Sequence, residues 1–72
     1  MKMSVLGKVI ETKQIEGAGH IQKVLVACGD AGEWRGFVGK DIMVGQLVTV
    51  FLPEEVLPKD ERWASMESHN AP

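Results

Sequence analysis

The sequence predicts an all-β domain, a small barrel of five short strands. Three observations lead there. Apolar runs rich in β-branched residues recur at roughly ten-residue spacing, with glycines at the corners between them. No segment keeps a helical apolar period across three turns. A chain of 72 residues holds one core, and an open sheet of that size would leave edges that closure removes.

The first strand is expected over Ser4–Ile15. Val5, Gly7, Val9 and Glu11 alternate with Leu6, Lys8, Ile10 and Thr12, and neither set is wholly apolar, so the strand should bend. Gly7 marks a bulge or a close backbone approach. Glu16-Gly17-Ala18-Gly19 reads as a loop, and His20–Cys28 as the second strand, carrying Ile21, Val24 and Val26. Gly29-Asp30-Ala31-Gly32 is a turn cluster between two strand-like runs, as in a hairpin. Trp34–Val38 is the third strand, with Gly36 giving curvature, and Gly39–Gly45 is a loop or a single helical turn. The Gly45-Gln46 turn leads into Leu47-Val48-Thr49-Val50-Phe51-Leu52, the most strand-like run of the chain, which Pro53 ends because it has no N–H for the ladder. Glu54–Leu57 is expected as a short fifth strand. Lys59–Ser68 is expected to start a helix with Asp60 as N-cap, and His69–Pro72 to fray. The expected organisation is a barrel over 1–58 and an acidic tail over 59–72. Val9, Val24, Val26, Val38, Val48, Val50 and Leu52 are the expected core.

Composition narrows the function. Lys and Arg number 8 against 10 Asp and Glu, for a net charge of −2. The acidity sits after residue 52, where Glu54, Glu55, Asp60, Glu61 and Glu67 face only Lys59 and Arg62. The body is nearly neutral and lacks the long-range field of a strongly basic nucleic-acid binder, so any such contact must be local. The single cysteine, Cys28, excludes an intramolecular disulfide, and no apolar run is long enough for a signal peptide or a membrane span. A cytoplasmic protein without membrane contact is expected.

The segments IEGAGHIQKVLV (15–26), WRGFVGK (34–40) and VGQLVTVFLPEEVLP (44–58) resemble the N-terminal OB-fold module of a family of ATP-dependent RNA ligases. More loosely they resemble the tRNA-binding OB modules attached to some aminoacyl-tRNA synthetases. The resemblance spans about residues 5–63 and is strongest in VGQLVTVFLP and the closing VLP, which are framework residues. It implies an OB-like barrel that binds RNA beside a nucleotidyltransferase domain. The chain departs from the pattern at Gly19-His20, where such modules carry an acid followed by a basic or polar residue. It also lacks the Lys-x-Asp-Gly motif of the nucleotidyl lysine, because Lys40-Asp41-Ile42 has the wrong spacing and no glycine. No enzymatic activity is therefore expected.

Each candidate site has a competing structural reading. Trp34-Arg35 reads as a stacking platform with a phosphate contact, or with Trp34 as a core plug, which the small domain favours. Lys13, Lys23, Arg35 and Lys40 read as a basic groove on the usual OB ligand face, or as a scattered solvated surface. His20 reads as a base or phosphate partner, or as a surface histidine. His20, Cys28 and His69 match no metal-ligand spacing, and Cys28 reads as a small buried hydrophobe. Glu54-Glu55 and Asp60-Glu61 lack the neighbours that would split their pKa values and read as solvated surface. The glycines match neither nucleotide fingerprint. Arg62, Trp63 and Met66, at roughly helical spacing, read as a partner interface or as a face that docks the tail on the barrel. The leading expectation is a non-catalytic module, free-standing or ligase-associated, that binds RNA or single-stranded nucleic acid without metal or cofactor. The alternative is a protein-interaction or self-assembly module; a small-ligand site at the barrel mouth has no specific support.

Overall fold

The computed structural model describes residues 3–39 and 41–68. Five antiparallel strands, β1 (Met3–Gln14), β2 (Ile21–Ala27), β3 (Glu33–Gly39), β4 (Leu47–Leu52) and β5 (Ser65–Ser68), form one sheet in the order β3-β2-β1-β4-β5. Two single-turn 3-10 segments, Gly29–Ala31 and Lys59–Glu61, are the helical pieces of the described chain. The sheet is curled into an OB-like barrel. Its two edges meet at one parallel bridge between Arg35 and Trp63. There the Arg35 N–H donates to the Arg62 carbonyl and the Ala64 N–H to the Arg35 carbonyl, both at 2.9 Å.

The long strand β1 organises the curl. Its first half pairs with β4, from Met3↔Leu52 to Lys8↔Leu47, and its second half pairs with β2, from Lys8↔Ala27 to Gln14↔Gln22. The expected bend lies at Ile10. The β1–β2 register passes from Val9↔Val26 to Glu11↔Leu25, so Ile10 is the extra residue of a bulge. Before the bulge the inward residues of β1 are odd-numbered, with Gly7 and Val9 buried; beyond it Glu11 and Lys13 face out. This change of parity explains why neither alternating set looked apolar. Gly7 is the close approach, because a Cβ there would run into Val26 Cγ1 and lie 2.8 Å from Cys28 Sγ.

The core is Val9, Val24, Val26, Cys28, Trp34, Val38, Ile42, Val48 and Val50. Six of the seven expected core residues are there, and Leu52 packs half-buried against them. Valines dominate because β-branched side chains suit the pleated inner surface of a small barrel. Gln22 is the buried polar residue of the described chain, at 4% exposure.

The C-terminal part differs from expectation. Glu54–Leu57 is connecting chain, with Val56 fully in solvent. The fifth strand comes instead from Ser65–Ser68, paired with β4 from Phe51↔Ser65 to Val48↔Ser68. No helix forms over Lys59–Ser68 beyond the 3-10 turn. The unpaired edge of β4 offers a ladder that the weak helical preference of this short segment does not outweigh. The segment expected as a tail thus completes the sheet as far as Ser68. The expectation for His69–Pro72 lies outside the described residues.

Burial raises the pKa of the Cys28 thiol above its ordinary value. A thiol with a raised folded pKa holds its proton in the folded chain where the unfolded chain has lost it. Its contribution is therefore present below the ordinary thiol pKa and lost as pH rises through the folded value. Denaturant melts from about pH 8 to about pH 10 should show Cys28→Ala losing less stability with rising pH than the wild type; parallel losses would exclude this contribution.

Candidate nucleic-acid interface

The outer face of β1, β2 and β3 carries two cross-strand rows. Lys13, Lys23 and Phe37 form one, and Glu11, Leu25 and Arg35 the next. Lys13 and Lys23 are directly opposite each other. Like charges in that position oppose pairing unless an anion joins them. Arg35 is the diagonal neighbour of Lys23, so three cations and the single carboxylate of Glu11 surround a groove of about 280 Å³ that Leu25 also lines from the outer face. Arg35 also forms the closing bridge with Trp63. Beside it the Phe37 and Trp63 rings stack, with centroids 5.3 Å apart and planes at 22°. Phe37 is 50% exposed and Trp63 42%, so the pair forms an accessible aromatic surface at the end of the basic groove.

Of the residues expected on this face, Lys13, Lys23 and Arg35 are brought together there. His20 is exposed in the turn before β2, past the last β2–β3 pair, Ile21↔Gly39, and does not reach the groove rows. Lys40 lies outside the described residues. Trp34 is not a stacking platform. It is 7% exposed, belongs to the core, and its indole Nε1–H donates to the Ala31 carbonyl at 2.8 Å. Neighbouring residues of a strand point to opposite faces, so Trp34 and Arg35 cannot share a surface. The same period places Phe37, two residues beyond Arg35, on Arg35's face. That signal was available in the sequence, and Phe37 is the residue that sequence reasoning missed.

The trio Arg62, Trp63 and Met66 is also divided. The Arg62 guanidinium carbon sits 5.9 Å from the Trp34 ring centroid, a cation–π contact, and its Nε–H donates to the Leu57 carbonyl at 3.3 Å. Arg62 thus seals one end of the barrel. Met66 faces inward against the core. Trp63 alone is exposed, because the segment is extended rather than helical and its residues alternate in and out.

Among the described residues no three His, Cys, Asp or Glu side chains group to hold a metal ion, and no helix is long and apolar enough to cross a membrane. The class defined by these features is a small all-β, OB-like barrel with a basic-aromatic outer face. No protein-family model, curated protein or solved structure matches the chain.

Proposed function

We propose that this chain is a non-catalytic OB-like module that binds RNA or single-stranded nucleic acid across the outer face of β1–β3, either free-standing or beside an RNA-ligase-type catalytic domain. The observation that carries the reading is the direct opposition of Lys13 and Lys23, with Arg35 on their diagonal and the Phe37–Trp63 stack at the groove's end. Phosphates relieve the like-charge pair and bases find aromatic faces, the two elements of single-strand binding. Local clustering of three cations makes this compatible with a net charge of −2.

Anisotropy of a labelled RNA oligonucleotide across a salt series tests it. Binding should weaken steeply with salt. The double substitution Lys23→Ala/Arg35→Ala should flatten the slope of log K against log salt by about 1.4, at ~0.7 per phosphate contact on a single strand. Lys59→Ala, on the 3-10 turn away from the face, should leave it unchanged. Absence of any RNA-dependent signal at low salt sinks the reading.

The exposed Phe37–Trp63 pair favours a second reading, a protein-interaction or self-assembly module, since exposed aromatics also anchor protein interfaces. Salt-insensitive association of the protein alone, seen by light scattering and abolished by Trp63→Ala, would establish that reading instead.

A further inference from the structure

The seam between β3 and β5 has a feature that basic-groove binding does not require. β3 and the chain leading into β5 run parallel and, among the described residues, pair at one isolated bridge, Arg35 with Trp63. The next rung, from the Phe37 N–H to the Ala64 carbonyl, is not made among the backbone bonds of the described residues. In an antiparallel pair the N–H and C=O of one residue point to the same side, and residues two apart point the same way. Arg35 directs both groups at the Arg62–Ala64 segment. Phe37 therefore directs its own N–H and C=O into the seam. There the strands part around a shallow groove of about 530 Å³, lined by Phe37, Trp63, Ala64, Ser65 and Met66. Stacked rings form one wall, and the Ser65 hydroxyl can donate or accept.

We infer that this seam is a slot for one unpaired nucleobase, stacked on Trp63, with its polar edge turned to the Phe37 backbone and Ser65. The inference rests on the nucleic-acid reading and deepens it by specifying an unpaired base. A single strand is the occupant because the groove continues the cationic rows. Arg35 is backbone-paired to the Arg62–Ala64 segment and lies about 7 Å along β3 from Phe37, the rise of two strand residues. A phosphate on Arg35 thus puts its own nucleotide's base at the slot. A base held in a duplex has no free face to offer the ring.

The test uses intrinsic tryptophan emission and anisotropy together, with fluorescein-labelled oligouridylate for anisotropy, the unlabelled strand for emission, and the same strand paired with oligoadenylate. The single strand should quench emission in the wild type. Trp63→Phe should bind within about threefold of wild type yet lose the quenching, leaving buried Trp34 unaffected. Trp63→Ala should bind about tenfold more weakly, within the range for loss of one base stack, with its salt slope unchanged because no phosphate contact is lost. The duplex should bind more weakly than the single strand and quench nothing. Melting curves of each variant establish that the comparison is between folded proteins.

Salt-dependent binding that Trp63→Ala leaves undiminished, or quenching that survives in Trp63→Phe, overturns the slot and leaves the basic-groove reading standing. No anisotropy change with any oligonucleotide overturns both. Concentration-dependent scattering without nucleic acid, lost in Trp63→Ala, gives the groove to a protein contact and overturns the slot.

Discussion

Gly36→Ala is expected to lower the melting temperature by about 10–20 °C. Gly36 is buried at the crossing of β3 and the chain leading into β5. A Cβ there would lie 2.6 Å from Met66 Sδ and 2.8 Å from the Ala64 carbonyl oxygen. The methionine can swing aside, but the carbonyl cannot. Ala64 is held by its N–H to the Arg35 carbonyl at 2.9 Å, half of the bridge that joins the sheet's two edges. Relieving the overlap therefore means opening the barrel. Overpacking of this kind costs about 1–3 kcal/mol, and the broken bridge places the total toward the upper end. At about 4–8 °C per kcal/mol for a domain of this size, that gives the stated shift. It is a large fraction of a total stability of about 4–10 kcal/mol.

Gly39→Ala, in the same strand, meets no atom within 4 Å and should melt within a few degrees of wild type. Adding Met66→Ala to Gly36→Ala should restore little, because the carbonyl overlap remains and a core side chain is lost. Full recovery in that double variant would mean that the thioether, not the closing backbone, sets the need for glycine.

The parts of this fold that were legible in the sequence are those that local chemistry determines. The valines of β2 and β4, the glycine corners and the stop at Pro53 read correctly because β-branching, positive φ and a missing N–H act within a few residues. The positive φ of Gly17, Gly29, Gly32 and Gly45 marks those turns. The fifth strand was not legible. Ser65-Met66-Glu67-Ser68 has little strand preference of its own, and its pairing is imposed by the free edge of β4. Val56, which looked like strand, had no such edge to join.

On the candidate face, the cations of the groove were visible as residue types, but their convergence depends on the Ile10 bulge. Without that extra residue Glu11 and Lys13 would point into the core. Trp34 is the core residue that the sequence favoured, and strand parity rules out its other reading as a stacking platform. A strand residue beside Arg35 faces the opposite way, and the aromatic partner had to be sought at the next odd position, Phe37.

Gln22→Leu is expected to be at least as damaging as Gly36→Ala, and nothing in the sequence marks the position. Gln22 points inward from β2. Its amide Nε2 donates to the Ile42 carbonyl at 3.2 Å, and its Oε1 accepts the Ile42 N–H at 3.1 Å. Ile42, 3% exposed, is a core residue supplied by a loop rather than a strand, and Asp41 before it takes a left-handed φ of 70° to turn the chain inward. A loop residue buried this way brings along an N–H and a C=O with no ladder to join. Gln22 stands in for the missing strand. Leucine keeps the volume and removes both partners, leaving two buried backbone groups unmatched at about 1–3 kcal/mol each. Ile42 must then leave the core or keep its place at that cost.

Gln22→Glu separates hydrogen bonding from packing. A protonated glutamic acid can donate to the carbonyl and accept from the N–H, as the amide does. An ionised one is a buried charge facing a carbonyl oxygen. Burial raises the folded-state pKa of such a carboxyl, so the folded chain holds the proton where the unfolded chain has released it. Stability should then fall as pH rises above the ordinary glutamate range and recover as pH drops toward it. Denaturant melts at about pH 5 and about pH 8 check the sign. Gln22→Glu should lose stability against wild type between the two, while Gln22→Leu keeps a constant deficit. If both variants track the wild type at both pH values, the Gln22–Ile42 bonds are not what holds the loop, and the burial of Ile42 alone accounts for it.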